Sequence, residues 1–382
     1  MTTAPSALLT KARALAPLVD GAAAASEQSG VLDVHVAEAL VEAGLLHALV
    51  PIEFGGAGLD IASTIEVFEE IARQDGSTGW SVMAAAASTA FAAIYTGDDV
   101  AESLFGGGRR PVMAGQLSPR GRAVMVDGGY EVSGTYQFGS GSDRASHMLG
   151  GCLSIVDGAP VMRPGGMPEI LAVIVPREQV TFRGNWDVMG LAGTASVDYE
   201  ISPTRIAHGA AFSIFAEEPQ RGGLTHRLGV MTITAAGHAG FALGVARRAL
   251  DEIASLSASK SRLGEARLCE QQAFQVGYAR AEAKVRAARA FVLESFAACE
   301  DALQAAGENS PHARHLARLA TSWGTEACAE AVEWAYRESG SDGLRNPGVL
   351  GRCFRDMYAG TQHLFVSRKT LVDVANSLLA AP

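Results

Sequence analysis

The stretch Leu350–Arg368, which reads LGRCFRDMYAGTQHLFVSR, is the part of the chain that decides the fold. Its apolar residues recur at helical spacing as far as Tyr358, so the sequence predicts a helix there. Gly360 and Thr361 interrupt that spacing, and we expect a bend or a close approach of another segment at the glycine. A histidine, His363, follows the interruption and is the first candidate for chemistry.

Length, composition and charge limit what the protein can be. With 48% hydrophobic and 19% charged residues, the 382-residue chain has the composition of a well-packed globule. A formal net charge of -10 argues against nucleic acid as a partner, because phosphate binding needs clustered lysine and arginine. No window approaches the roughly 18 uninterrupted apolar residues of a membrane-spanning helix, and a signal peptide is not expected. Five scattered cysteines without a CxxC pair indicate a reduced, cytoplasmic protein without a zinc site.

The pattern of the chain changes twice along its length. Helical periodicity dominates first, alternating and β-branched segments between glycine-rich turns follow, and helical periodicity then returns. The sequence therefore predicts a helical domain at 1–110, an antiparallel β-domain at 111–218 and a four-helix bundle at 219–382. The helices of the bundle are expected at residues 227–256, 263–304, 311–338 and 349–378. The predicted fold class is α+β, mainly α.

Three motifs of the chain point to one family. The segment Tyr358–Thr361 reads YAGT, an Arg-Asp pair precedes it and His363 follows it, while Gly76–Trp80 reads GSTGW. Together they resemble the acyl-CoA dehydrogenase superfamily, over roughly Leu18 to Leu379. Dehydrogenases of that superfamily carry a Tyr-Glu-Gly-Thr segment whose glutamate removes a substrate proton, and Ala359 cannot do so. The Arg-Asp pair with the histidine is similar to the flavin-dependent monooxygenase branch, which implies a dehydrogenase scaffold used for oxygen chemistry.

The resemblance implies the oxygenase component of a two-component flavin-dependent monooxygenase. Such an enzyme takes reduced FMN or FAD, forms a flavin C4a-hydroperoxide with O₂, and hydroxylates a small aromatic or heteroaromatic substrate in a pocket that excludes water. No GxGxxG motif follows a strand and no GxxxxGK[ST] motif is present, so a separate NAD(P)H:flavin reductase would have to supply the reduced flavin. The superfamily pattern also implies a homotetramer. The residues do not separate FMN from FAD.

The glycine-rich segment 127–143 provides the first cofactor residues. It matches a run in the monooxygenase branch in which a Ser-Gly step lies beside the reactive edge of the flavin, and Ser140-Gly141 fits that step. Ser142 is the alternative, and Ser140 is favoured. The resemblance implies further cofactor contacts from three segments: backbone donors at Gln116 and Ser118, Trp186 over the ring with the hydroxyls of Thr194 and Ser196, and Lys260 with Arg262 at the flavin phosphate. For the last two residues, a solvated basic turn is an equal alternative.

The expected catalytic residues are His363 and Ser140. A histidine at this place can hydrogen-bond the activated oxygen or take the phenolic or indolic proton of the substrate. The resemblance places Trp80, Ser88, Tyr358 and Ala359 in the substrate pocket. Ser88 stands where family members often have a second histidine, so this motif does not supply a two-histidine site.

Other functions fit the same scaffold. An acyl-CoA dehydrogenase would need its base elsewhere, near Glu333 or Glu338. A sugar N-oxygenase of the superfamily is a further alternative, and so is a flavin-binding scaffold that has lost catalysis. The joint presence of Ser140 and His363 argues against the scaffold, and the monooxygenase is the first prediction.

Overall fold

The computed structural model describes residues 6–261 and 263–380. In this part of the chain, six α-helices come first, then eight strands that form one sheet, and then five α-helices. This order confirms the predicted fold class. The expected domain boundaries near residues 110 and 218 fall between helices and strands, and the division into three domains stays a prediction.

The N-terminal helices carry their start and stop signals in the sequence. Asp60 and Asp75 cap the fourth and fifth helices, because each carboxylate accepts a hydrogen bond from a backbone N–H in the first turn. Gly44 ends the third helix in the left-handed conformation (φ 84°) that glycine adopts without strain. The helices are α1 (Ala7–Ala14), α2 (Ala16–Ser29), α3 (Val34–Ala43), α4 (Ile61–Gln74), α5 (Gly76–Tyr95) and α6 (Asp98–Phe105).

Helix α5 runs through the core and leaves one narrow stripe partly uncovered. Every residue of α5 is buried except Trp80, Ala84 and Ser88, which are half-buried. These three are spaced four residues apart, so they lie on one face of the helix. Trp80, the first residue of this stripe, contacts both Ser140 and His363.

The eight strands form one mixed sheet. They are β1 (Met113–Val126), β2 (Gly129–Tyr136), β3 (His147–Val156), β4 (Ala159–Pro160), β5 (Ile170–Pro176), β6 (Val180–Phe182), β7 (Tyr199–Ala207) and β8 (Ala211–Ser213). Neighbouring strands follow the order β6-β7-β2-β1-β3-β5-β8, and β4 pairs with β3. These pairs are antiparallel except that β1 and β3 run parallel, which alternation along each strand does not predict. The register of β1 against β3 shifts between Gln116 and Pro119, which leaves Leu117 and Ser118 as a bulge.

Five helices follow where the sequence predicts four. They are α7 (Gly229–Ser257), α8 (Gln272–Ala306), α9 (Pro311–Ser339), α10 (Val349–Gly360) and α11 (Arg368–Ala380). Helix α8 begins at Gln272 and not at residue 263, because the connection before it is exposed, with Leu263 fully in solvent. The last predicted helix is divided at Gly360, as the interrupted apolar spacing predicts. Glycine is needed there because a Cβ atom would collide with the ring of Phe241 on α7.

The two helical parts share one hydrophobic core, and the sheet has a smaller core of its own. Helix α7 packs against α4, α5, α9 and α10, so it lies at the centre of the shared core. The segment Leu224–Ser257 is long and apolar enough to cross a membrane, but 89% of its most apolar window is buried within the fold. Such burial is what the central helix of a globular protein shows.

Candidate active site

Side chains from three segments form a continuous row of hydrogen bonds. Trp80 Nε1 donates to Ser140 Oγ at 3.1 Å, and Ser140 Oγ lies 2.7 Å from Ser196 Oγ. Ser196 Oγ lies 2.7 Å from Thr194 Oγ1, which donates to the carbonyl oxygen of Leu191 at 2.7 Å. We call these five residues the hydroxyl row. The row joins α5 to the loop after β2 and to the loop before β7.

The loops that carry the hydroxyl row adopt unusual backbone conformations. Phe138 (φ 65°), Leu191 (φ 57°) and Ala195 (φ 47°) lie in the left-handed region, which costs a residue with a side chain about 1 kcal/mol or more. Gly141 (φ 74°) is a glycine in the same region, and its N–H donates to the carbonyl of Thr194 at 3.0 Å. Such residues persist only where their surroundings hold them, and they cluster at functional sites.

A buried carboxylate holds the loop before β7. Asp356 Oδ1 accepts the backbone N–H of Leu191 at 2.6 Å, while Asp356 Oδ2 has no partner among the described residues. Asp75 is buried beside it and pairs with Arg352 Nε at 3.3 Å. Burial and the charge of Asp75 raise the pKa of Asp356 to about 8, while the Leu191 N–H and Arg352 act in the opposite direction. These side chains connect α10, the start of α5 and the loop.

Aromatic rings surround His363. Its ring stacks on Phe365 and on His238, with 5.3 Å between centroids in each case, and meets Trp80 edge-on at 5.6 Å. Phe241 completes this ring cluster, 5.0 Å from Trp80 and 6.0 Å from His238. Trp80 belongs to both the ring cluster and the hydroxyl row, so a single indole links Ser140 to His363.

Burial keeps both histidines of the ring cluster neutral. It lowers the pKa of His363 from 6.5 to about 4. Burial and the neighbouring His363 lower the pKa of His238 well below 6.5, and neither ring nitrogen of His238 has a partner in the described chain. His363 Nδ1 accepts the N–H of Phe365 at 3.4 Å, which leaves the proton of the neutral ring on Nε2. Nε2 of His363 is therefore a hydrogen-bond donor for a ligand.

Gln116, at the start of the bulge in β1, carries a buried polar atom and contacts Tyr199. Gln116 Oε1 is buried without a partner among the described residues, and Gln116 N donates to Tyr199 Oη at 2.9 Å. The ring of Tyr199 packs against Gly139, which precedes Ser140. Buried polar groups without partners are rare in folded proteins, so this oxygen suits a polar ligand.

Six residues predicted from the sequence meet at this place: Trp80, Ser140, Gly141, Thr194, Ser196 and His363. Trp186 lies in the loop before β7, and its Nε1 donates to the carbonyl of Ala192 at 3.0 Å. Gln116 and Ser118 flank the bulge, and Ser88 lies two turns along α5 from Trp80 on the same face. Ala359 packs against the helical core.

Other predicted residues have their described partners elsewhere. Lys260 Nζ donates to the carbonyl of Ser339 at 2.7 Å and pairs with Asp342, after the end of α9. Tyr358 Oη donates to Glu333 on α9 at 2.8 Å, and burial with this bond raises the pKa of Tyr358 to about 12. Arg262 lies outside the described residues. The functional roles of all these residues stay predictions.

Several residues of the site were missed by the sequence reasoning. His238 lies in the run AAGHAGFALG at 235–244, and a single polar ring within a buried apolar run is the signal that could have identified it. Phe241 gives no such signal, since aromatic residues are common in cores. Asp75 is the N-cap of α5, and its ion pair with Arg352 depends on how α10 packs.

Comparison with known proteins assigns the family. The profile described as acyl-CoA dehydrogenase, N-terminal domain, matches residues 9–99, and the C-terminal domain profile matches residues 236–368. The chain is 30% identical over 343 residues to an indole-3-acetate monooxygenase of Pseudomonas putida, covering 88% of this chain and 85% of that protein. It is 27% identical over 336 residues to the flavin-dependent monooxygenase, oxygenase subunit HsaA, of Rhodococcus jostii (strain RHA1), covering 85% and 86%.

A solved structure shows the same fold. The 3-HSA hydroxylase from Rhodococcus sp. RHA1 superposes with a TM-score of 0.90 and 24% identity, covering 99% of this chain and 97% of that one. The chain belongs to the acyl-CoA dehydrogenase superfamily and, within it, to the flavin-dependent monooxygenases.

Proposed function

We propose that this chain is the oxygenase component of a two-component monooxygenase that hydroxylates a small aromatic or heteroaromatic substrate with O₂. The observation that carries the proposal is the indole of Trp80, which joins the hydroxyl of Ser140 to the imidazole of His363. The relatives named indole-3-acetate monooxygenase and oxygenase subunit support the substrate class and a separate NAD(P)H:flavin reductase as partner.

We propose that the flavin binds along the hydroxyl row and the bulge in β1. The pyrimidine edge of a flavin carries carbonyl and N–H groups, which suit the unpartnered Gln116 Oε1 and the bulged backbone at Ser118. Ser140 and Gly141 would lie at the reactive edge, and the space beside Gly141 is open, with no atom within 4 Å of an added Cβ. Trp186 would cover part of the ring. When bound, reduced flavin supplies the electrons that activate O₂.

His363 is the group that acts on oxygen in the cleft. Its Nδ1 is occupied by the N–H of Phe365, so Nε2 donates a hydrogen bond to an oxygen atom of the activated species or the substrate. Stacking between His238 and Phe365 fixes the orientation of the ring. This tautomer favours the donor role over the proton-acceptor role that the sequence left open.

The stripe on α5 formed by Trp80, Ala84 and Ser88 would be one wall of the pocket for a flat substrate. Ala84 and Ser88 continue the stripe that begins at Trp80, and both have small side chains. Aromatic rings at Trp80 and Phe241 provide an apolar wall that excludes water, as oxygen transfer requires. We assign Tyr358 and Ala359, at the end of α10, to the rim of this pocket.

The remaining assignments concern the assembly. Apolar side chains are exposed on the C-terminal helices, as at Trp323 and Val372, and on the connection between α10 and α11, as at Leu364. They support a homotetramer in which these faces are covered. In that assembly, Lys260 and Arg262 would bind the phosphate of the flavin.

The five cysteines are free, which supports a reducing, cytoplasmic location.

A reconstitution experiment tests the proposal. The purified chain is mixed with NADH, flavin and a panel of phenols and indoles, with and without a flavin reductase, and products are separated by chromatography. We expect hydroxylated product only when the reductase is present, and none with the heat-denatured chain. Flavin reduction by NADH with the chain alone, or absence of product across the whole panel, would contradict the proposal.

A further inference from the structure

The hydroxyl row contains three oxygen–oxygen contacts and three hydroxyl hydrogens. The contacts Ser140–Ser196, Ser196–Thr194 and Thr194–Leu191 carbonyl are each 2.7 Å long. Two oxygen atoms at this distance need a hydrogen between them, and each of the three hydroxyl groups owns one. All three hydrogens are therefore used within the row.

The carbonyl end of the row fixes its direction. A carbonyl cannot donate, so Thr194 donates to Leu191. Ser196 must then donate to Thr194, because the hydrogen of Thr194 is already used. By the same count Ser140 donates to Ser196, and it also accepts the Nε1–H of Trp80. Ser140 keeps one free lone pair and no free hydrogen, so towards a ligand it can only accept a hydrogen bond.

The N5 atom of flavin is a hydrogen-bond acceptor in the oxidised ring and a hydrogen-bond donor in the reduced ring. The N5 atom of oxidised flavin has a lone pair and no hydrogen, whereas N5 of the two-electron-reduced ring carries one. We propose that the hydroxyl row makes this site selective for reduced flavin, because Ser140 can accept the N5–H but has no hydrogen for the oxidised ring. The inference rests on the proposed function, in which Ser140 lies beside the reactive edge. Thr194 and Ser196 are then positioning residues, which act through Ser140.

The size of the preference follows from one hydrogen bond. A bond that is made in one redox state and left unmade in the other changes affinity by roughly tenfold to a hundredfold. For a two-electron couple, a tenfold tighter binding of the reduced form raises the midpoint potential of the bound flavin by about 30 mV. Dissociation constants and potential therefore measure the same effect independently.

Thr194→Val is the variant that changes how the hydroxyl hydrogens are shared within the row. It removes the acceptor of Ser196, whose hydrogen can then turn to Ser140 and release the Ser140 hydrogen towards N5. The Leu191 carbonyl keeps two donors, the backbone N–H of residue 194 at 3.2 Å and Trp186 Nε1 at 3.3 Å, so the loop retains its contacts. Thr194→Ser keeps the hydroxyl group and serves as the conservative control.

The experiment measures flavin binding in both redox states. Dissociation constants for FMN and for FAD are determined by fluorescence quenching for the oxidised forms and by anaerobic titration for the reduced forms, together with the midpoint potential. We expect Thr194→Val to bind oxidised flavin roughly tenfold more tightly relative to reduced flavin, with the potential lowered by about 30 mV. Thr194→Ser should resemble the unmodified protein. Ser142→Ala tests the alternative flavin-side serine, because Ser142 donates to the Ala195 carbonyl at 3.3 Å outside the row.

Two outcomes overturn different parts of the account. If Thr194→Val binds flavin with an unchanged ratio of affinities and an unchanged potential, the row does not select the redox state, although the flavin site remains. If Ser140→Ala changes neither affinity, Ser140 does not lie beside N5 and the proposed flavin placement fails. A changed ratio in Ser142→Ala would assign the contact with N5 to Ser142 or to the loop as a whole, and the inference would then be wrong.

Discussion

Replacing Asp356 with asparagine is expected to have an effect on stability whose size depends on pH. The side chain is buried, its pKa is raised from 3.8 to about 8, and Asp75 and Glu27 act in the same direction while Arg352 and the Leu191 N–H oppose them. The folded state therefore binds a proton here that the unfolded state has released, over the range from about pH 4 to pH 8. In this range, the contribution of the protonated carboxyl to stability is lost as pH rises.

The magnitude follows from the number of protons. A difference of at most one proton changes the free energy of unfolding by up to about 1.4 kcal/mol for each pH unit. Asparagine has the same shape, keeps an oxygen that can accept the Leu191 N–H, and has no proton to lose. Asp356→Asn should thus stay within about 1 kcal/mol of the unmodified protein near pH 5 and become the more stable of the two towards pH 8.

Thermal melting at a series of pH values between 5 and 8.5 measures this difference. Asp356→Ala is the matched control, because it leaves the buried N–H of Leu191 without an acceptor and should cost about 1–3 kcal/mol at every pH. If Asp356→Asn loses as much stability as Asp356→Ala at pH 8, the carboxylate is charged in the folded protein and its charge is needed there. That result would refute the reasoning about this buried group.

Four further predictions concern the ring cluster and the missing base. His363→Ala should lose about 10²- to 10⁴-fold in turnover. His363→Gln keeps an N–H donor and should retain more of the turnover. His35 is exposed, so His35→Ala serves as the control. Equal losses in His363→Ala and His363→Gln would indicate that His363 acts as a proton acceptor. Because the pKa of His363 is lowered to about 4, the neutral ring should support turnover as pH falls to about 5, and a midpoint near 6.5 would contradict this. His238→Phe keeps a ring and removes two unpartnered nitrogens, so its melting temperature should not fall; a drop of several degrees would show that these nitrogens have partners. With Ala359 in place of the glutamate of dehydrogenases, the protein should not oxidise butyryl-CoA or octanoyl-CoA with an artificial electron acceptor, and clear turnover would favour the dehydrogenase.

The sequence predicts those features that depend on local physics. The Asp75 cap and the break at Gly360 follow from rules that act within a few residues of the chain, and both are present in the fold. The parallel pairing of β1 with β3 could not be predicted, because alternation gives a strand's faces but not its neighbour. His238 shows the same limit in the site. Its place in an apolar helix indicates burial, but its stacking on His363 depends on how α7 meets the segment after α10.

The sharing of hydrogens in the hydroxyl row depends still more on tertiary structure. The resemblance of the sequence to the family predicts that Ser140, Thr194 and Ser196 belong to one flavin site, and no local pattern reveals that Ser140 has no free hydrogen. That conclusion needs three oxygen–oxygen distances and the position of one carbonyl group. Trp80 was predicted as a residue of the substrate pocket, and its bond to Ser140 adds a second contact that spacing along α5 could not show.

Isotope labelling of the product tests the central claim most directly. The chain is supplied with flavin reduced by a separate reductase, an aromatic substrate such as indole-3-acetate or a phenol, and ¹⁸O₂, and the product is analysed by mass spectrometry. We predict that each hydroxylated product molecule carries one oxygen atom from O₂, and that His363→Ala lowers the yield of labelled product by about 10²- to 10⁴-fold while the protein remains folded. Product whose oxygen comes from water, or complete recovery of the flavin electrons as hydrogen peroxide with every substrate tried, would contradict it.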